Sequence, residues 1–230
     1  MTREITDDFD SFITQDGKVV PIQDTDKMFS ILVKRTEDRD QIAKSLRCLV
    51  EECLDSGYHR AACDYLEKIL SLVDDPGERA ECLLRMGLVM EEAQDFEAAL
   101  EAYLRAFGLP HESNDVWYFL NNNTGFCLNQ TAQCQEAERY CRAAIEIDPD
   151  RHNAYKNLGI ALQNQGRYAD AAENYIHASK LAPTDTRALA LLEDLIAGHR
   201  EILEEMPDLL EQLHGCHEAV QAGKGASRLQ

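Results

Sequence analysis

The 230-residue chain carries 42 acidic against 23 basic side chains, a formal net charge of −19, and so lacks the basic footprint that nucleic acid or an anionic membrane surface requires. Its amino terminus, MTREITDDFD, has no apolar leader core. No later stretch approaches the roughly 18 apolar residues of a membrane span, and the expectation is a soluble, non-secreted, cytoplasmic protein. The charge is uneven: residues 1–42 sum to −4, 43–117 to −9, 118–184 to −1 and 185–230 to −5. None of the eight cysteines forms a C-x-x-C pair, and most stand where a helix pattern wants a small apolar residue. They read as reduced core thiols.

Residues 1–40 form an acidic arm. Phe12-Ile13-Thr14 and Val19-Val20 flank Gln15-Asp16-Gly17-Lys18, which fits a short hairpin with a type I′ turn; an arm ordered only in part is the preferred alternative. Asp26 is placed to cap a short helix carrying Met28, Phe29, Leu32 and Val33. Residues 41–56 and 59–73 then form a helical hairpin closed by Asp74-Asp75-Pro76-Gly77. Residues 79–93 and 96–108 form a second, followed by a surface loop at 109–115. Residues 116–129 open a third hairpin, in which Trp117, Tyr118, Phe119 and Leu120 precede the unusual polar residues Asn121 and Thr124. In the fourth, Tyr155, Leu158, Gly159 and Leu162 share one helix face, Gly166 breaks the helix, and Pro183 closes the unit. Capping helices are expected over 186–221, interrupted at Met206-Pro207, with a disordered tail at 222–230.

The hairpins repeat one another. Gly125 and Gly159, Ala137 and Ala171, Ala144 and Ala178, and Pro149 and Pro183 are all separated by one and the same interval. A slightly longer step back gives Gly87, Met90, Ala99, Tyr103 and Ala106, and a degenerate first copy has Val50 in the glycine slot. These residues resemble the tetratricopeptide (TPR) repeat, over about 44–185. The resemblance implies an all-α, right-handed superhelical solenoid of TPR-type helix-turn-helix repeats with a C-terminal capping helix. Residues 41–185 would hold three clear repeats and one degenerate one, with small residues on facing helices admitting large ones beside them.

By the same resemblance a concave wall would be lined by fixed slots on the first helix of each repeat. The peptide-binding residues so implied are Arg85 and Leu88; Phe119, Asn122, Asn123 and Phe126; and Asn153, Lys156, Asn157 and Ile160. Side-chain amides dominate the last two sets and, carrying donor and acceptor together, suit the backbone of an extended peptide. Asn123 and Asn157 occupy the slot that forms an asparagine ladder in O-linked glycosyltransferases of this family, and both are expected to face solvent. The Lys and Arg clamp with which related co-chaperones grip heat-shock proteins is not matched here, since Leu84, Leu88, Asn153 and Asn157 stand in its slots.

No phosphate loop, dinucleotide fingerprint, nucleophile elbow or paired-histidine zinc motif occurs. His214-Gly215-Cys216-His217 places no fourth ligand, so neither metal nor cofactor is assigned, and the sevenfold spacing of Cys127, Cys134 and Cys141 reads as core filling. The expectation is a non-enzymatic protein-protein interaction scaffold that binds a basic or apolar segment of a partner protein. A chaperone of secretion substrates and an accessory or regulatory subunit of an enzyme complex are the alternatives, and a homo-oligomer is left open.

Overall fold

A computed structural model describes residues 11–13, 19–110 and 112–226. The chain divides into two compact units, Met1–Val116 and Trp117–Gln230. In the first unit, strands β1 (Ser11–Ile13) and β2 (Val19–Pro21) pair antiparallel, with Phe12 opposite Val20. The turn expected between them lies outside the described residues. Helices α1 (Thr25–Arg35), α2 (Arg39–Asp55), α3 (His59–Leu72), α4 (Pro76–Glu92) and α5 (Phe96–Phe107) follow, and α6 (Asn114–Gln130) starts at the boundary.

The second unit continues with α7 (Cys134–Ile147), α8 (His152–Asn164), α9 (Tyr168–Leu181), α10 (Arg187–Gly198), α11 (Ile202–Glu205) and α12 (Leu209–Ala226). Helices therefore make up the regular structure of the described residues apart from one two-stranded ribbon. The pairs α2–α3, α4–α5, α6–α7 and α8–α9 are the four repeats, each with a first helix A and a second helix B.

Helix starts follow local chemistry. Asp38 Oδ1 accepts from the backbone N–H groups of Asp40 (3.0 Å) and Gln41 (3.2 Å) at the start of α2. Asp75 accepts from Glu78 N at 2.8 Å, with Pro76 where no backbone donor is needed. Helix α1 departs from expectation: Asp24, not Asp26, is its cap, accepting from Lys27 N at 3.3 Å, while Asp26 pairs with Lys68 Nζ at 2.7 Å. The arm is thereby docked. Val20, Ile22 and Met28 are buried, and Tyr65 Oη donates to the Ile22 carbonyl at 2.6 Å.

One contact recurs inside the repeats. A Cβ built on Gly87 would lie 2.1 Å from the Tyr103 ring, and one on Gly159 would lie 2.4 Å from the Tyr175 ring. At Gly125 it would meet Cys141 Sγ at 2.5 Å. Each helix-A glycine thus receives the side chain found at one constant offset along the chain, on helix B. In the degenerate copy Val50 fills the slot and Leu66, both buried, replaces the ring. The tyrosine tips are also anchored: Tyr103 Oη donates to Glu91 Oε1 at 2.6 Å, and Tyr175 Oη to Gln163 Oε1 at 2.7 Å.

The four turns between helices A and B share another device. Tyr58, Asp95, Gln133 and Arg167 each donate their N–H to the carbonyl five residues back, at 2.7, 2.9, 2.8 and 3.0 Å. That bond closes only with a left-handed residue in the turn. Gly57 (φ 73°) and Gly166 (φ 77°) supply it, whereas Gln94 and Ala132, both at φ 61°, adopt it with a side chain.

The carboxyl end differs from expectation twice. The first capping helix ends at Gly198, before the single turn of α11, and α12 runs on to Ala226 where disorder was expected from 222. The extension runs close to the loop after α9, since a Cβ built on Gly223 would lie 3.6 Å from Thr184 and 3.8 Å from Pro183. Cys216 is buried in the core with Leu209 and Val220, in line with its reading as a core thiol.

Because the ring of Tyr175 already fills the space beside Gly159, Gly159→Ala is expected to destabilise by about 1 to 3 kcal/mol through overpacking. An unchanged denaturation midpoint would contradict that contact. Ala132→Gly is expected to act in the opposite sense, raising stability by about 0.5 to 1 kcal/mol as left-handed strain is relieved against a larger unfolded-state entropy. Urea unfolding of the single variants reads both signs.

Candidate functional site

Eight of the ten residues implied as peptide-binding lie in the second unit, four on α6 and four on α8. Phe119, Asn122, Asn123 and Phe126 follow helical spacing, as do Asn153, Lys156, Asn157 and Ile160. Arg85 and Leu88 belong to α4 in the first unit, where Arg85 forms an ion pair with Glu51 and Leu88 is exposed.

The asparagines do not stand free. Asn123 is 7% exposed and Asn157 only 3%, which corrects the expectation that both face solvent. Asn157 Nδ2 donates across to Asn122 Oδ1 at 3.1 Å, and Asn122 Nδ2 donates to Asn123 Oδ1 at 2.8 Å. In return Asn129 Nδ2 donates to the Asn157 carbonyl at 2.8 Å. The amides form a seam binding α6 to α8, and the physical reason is the third repeat's sequence. Cys141 replaces the tyrosine found at 103 and 175, so no phenol reaches Asn129, the counterpart of Glu91 and Gln163. Asn129 turns to the next repeat instead. Burial pushes the Cys141 thiol up to about 12, so it stays protonated as inert filler.

The seam is imperfectly satisfied. Asn129 Oδ1 and Asn157 Oδ1 are buried with no hydrogen-bond partner among the described residues, as is Thr124 Oγ1. Asn121, the other departure from the repeat pattern, is satisfied within its own helix by donating to the Trp117 carbonyl at 2.8 Å.

What the wall presents outward is apolar and cationic. Phe119 is 41% exposed, and Phe126 and Ile160 are half-buried. The Arg151 guanidinium lies over the rings of Tyr118 (4.6 Å) and Phe119 (5.0 Å) while its Nε pairs with Asp148 at 2.7 Å. Lys156 is half-buried, and burial, with Arg187 nearby, lowers its pKa from the ordinary lysine value; Asp185 opposes the shift. Lys156 Nζ donates to Asn153 Oδ1 at 3.4 Å, an oxygen that also receives Arg187 Nη2 at 3.3 Å. Arg187 is held in place by Asp185, whose carboxyl it pushes well below the usual range with help from His152, 2.9 Å away.

Arg151 and Arg187 were missed in the sequence. Arg187 could have been found, because it stands one repeat period beyond Asn153 and so carries the wall's register into the capping helix. Arg151 had no such signal. The carboxy-terminal His-Gly-Cys-His stretch is not brought together: His217 pairs with Glu193 (2.9 Å), His214 with Glu218 (3.4 Å), and Cys216 points into the core. Among the described residues no three His, Cys, Asp or Glu side chains group as metal ligands, and no helix is long and apolar enough to cross a membrane.

A family model described as a tetratricopeptide repeat matches residues 140–173, which run from α7 through α8 into α9. A small glutamine-rich tetratricopeptide repeat-containing protein 2 from Mycosarcoma maydis is 35% identical over 112 residues, 49% of this chain and 31% of the relative. The chain thus carries a tetratricopeptide repeat. Tetratricopeptide repeat protein 8 of Caenorhabditis elegans is 30% identical over 148 residues, 63% of this chain and 28% of that protein. The chain thus spans less than a third of these curated relatives. Among solved structures, MamA from Desulfovibrio magneticus RS-1, from residue 41 to its end, shares the fold with a TM-score of 0.61 at 21% identity, covering 78% of this chain and 96% of that one.

Since Asn157 is a buried brace, Asn157→Ala is expected to lower unfolding free energy by about 1 to 3 kcal/mol, leaving Asn122 Oδ1 without its donor. Chemical denaturation showing no loss would restore the view of a solvated amide.

Proposed function

We propose that this protein is a non-enzymatic scaffold whose α6–α8 wall holds a segment of a partner protein. The observation that carries the reading is the combination at that wall of an exposed Phe119, half-exposed Phe126 and Ile160, and a partly desolvated Lys156 whose Nζ donates to the Asn153 amide oxygen between Arg187 and Asp185. Apolar side chains of the partner would cover the rings and Ile160. A carbonyl or carboxylate of the same segment would replace Asn153 at Lys156. The buried amides Asn122, Asn123 and Asn157 serve differently: by joining α6 to α8 they hold the contact residues at a fixed separation, which lowers the ordering cost on binding.

The fold supports the reading, because stacked repeats of this kind present extended surfaces suited to binding chains. A cytoplasmic setting agrees with the cysteines, all of which carry free thiols. In the first unit, taken by itself, Arg85 and Leu88 would offer a separate contact within an acidic segment that favours a basic stretch of a partner.

The test compares wild type with Phe119→Ala and Lys156→Glu for capture of proteins from the native lysate, followed by titration of the captured partner. Each substitution is expected to weaken binding about thirtyfold, the effect of losing an anchor worth about 2 kcal/mol, with helical content unchanged. Equal affinities for all three folded proteins would place the partner elsewhere.

A further inference from the structure

In the second unit one slot of the repeat has lost its large residue. The slot holds Leu46, Leu83 and Tyr155 in the other repeats and Asn121 in the third. In the fourth repeat the Tyr155 ring lies 4.2 Å from the ring of His177. One repeat interval earlier the same two places hold Asn121 and Ala143, so neither ring is present. A hollow of about 290 Å³ remains between α6 and α7, lined by Asn121, Glu136, Arg139, Tyr140 and Ala143. None of the wall residues implied as peptide-binding lines it.

The hollow is open, and its chemistry is selective. Tyr140 and Ala143 are part-exposed, and Glu136 and Arg139 are exposed at its mouth. Asn121, at 7% exposure, is the floor. Its Nδ2 donates to the Trp117 carbonyl at 2.8 Å, whereas its Oδ1 has no hydrogen bond among the described residues. Covering the floor with apolar atoms alone would leave that acceptor unpaired. The volume is nearly double the ~150 Å³ that holds a benzene ring, which suits a fused two-ring system. Tryptophan is the side chain that joins such a ring to an N–H donor and no acceptor. Glu136 and Arg139, close together on α7, offer a carboxylate and a guanidinium to the N–H and C=O groups of a backbone carrying the ring.

We propose that this hollow receives the indole ring of a tryptophan in a partner polypeptide. The ring packs on Tyr140 and Ala143, filling the volume that the Tyr155 ring fills in the fourth repeat, and its N–H donates to Asn121 Oδ1. Arg139 donates to a carbonyl beside the tryptophan, and Glu136 accepts from a neighbouring N–H. The site adds a binding place to the scaffold and does not depend on the α6–α8 wall.

The experiment uses the full chain with labelled alanine and isoleucine methyls and side-chain amides, and the probe acetyl-Gly-Trp-Gly-amide. Saturable shifts are expected at the Ala143 methyl and the Asn121 amide. A probe carrying 1-methyltryptophan, which keeps the ring and removes the donor, should bind about tenfold more weakly. Free indole, with no backbone for Glu136 and Arg139, should bind about fivefold more weakly. Asn121→Tyr supplies the missing ring from within, and Ala143→Leu narrows the hollow from its part-exposed side. Each should abolish the shift at the marker that remains, and Ala143→Leu decides if the isoleucine methyl spectrum shows that Asn121→Tyr has lost its fold. Four results overturn the site: markers that do not move at millimolar probe, a methylated probe or free indole that binds as tightly as the peptide, a saturable shift that survives in a folded variant, or shifts confined to Ile160. The last would leave the reading of the α6–α8 wall standing.

Discussion

The fold depends on the absence of a side chain at three positions. Gly87, Gly125 and Gly159 let the second helix of each repeat approach until a tyrosine ring or a thiol occupies the volume a Cβ would need. Hydrophobic burial drives the two helices together, but many helical hairpins bury as much. The void at glycine and the matching bulk on the facing helix are what select one crossing over its neighbours. Where the slot is filled, by Val50, the facing residue is Leu66 in place of the ring, and both are buried.

Periodicity made this legible. The glycine, alanine and proline slots recur at one interval, and helix boundaries followed to within a few residues because aspartates and turn glycines mark them. Other features resisted for definable reasons. Asp24 and Asp26 are equally good caps by type, and only the position of Lys68 in the folded chain decides which is free to bond the backbone. The extension of α12 to Ala226 brings Gly223 close to Pro183, a proximity between residues distant in sequence that no local propensity encodes. The ladder slots of Asn123 and Asn157 were found, yet their burial was not, because slot position reports direction from the helix axis and not what stands opposite.

The second unit's wall therefore separates two jobs that the sequence pattern assigns to one amide-rich face. Polar groups that could bind a chain instead hold α6 and α8 together, and two carbonyl oxygens are left buried without donors. The larger side chains around them are what the wall presents outward. Phe119 is held by the Arg151 guanidinium, and Lys156 is set in a region its own charge dislikes. A group so placed is pre-organised for an acceptor.

The exchange of tyrosine for Cys141 reaches beyond packing. In the repeats with Tyr103 and Tyr175, the helix-A residues Glu91 and Gln163 are bonded to their own helix B, so those bonds belong to one repeat's intrinsic stability. In the repeat with Cys141 the corresponding Asn129 is bonded to α8, and the same free energy becomes an interface term between neighbours. In a linear array, moving free energy from the first kind to the second raises cooperativity at constant total stability. The coupling between α6–α7 and α8–α9 is raised by the worth of that bond, about 0.5 to 1.5 kcal/mol, so that opening of one repeat more often draws the other with it.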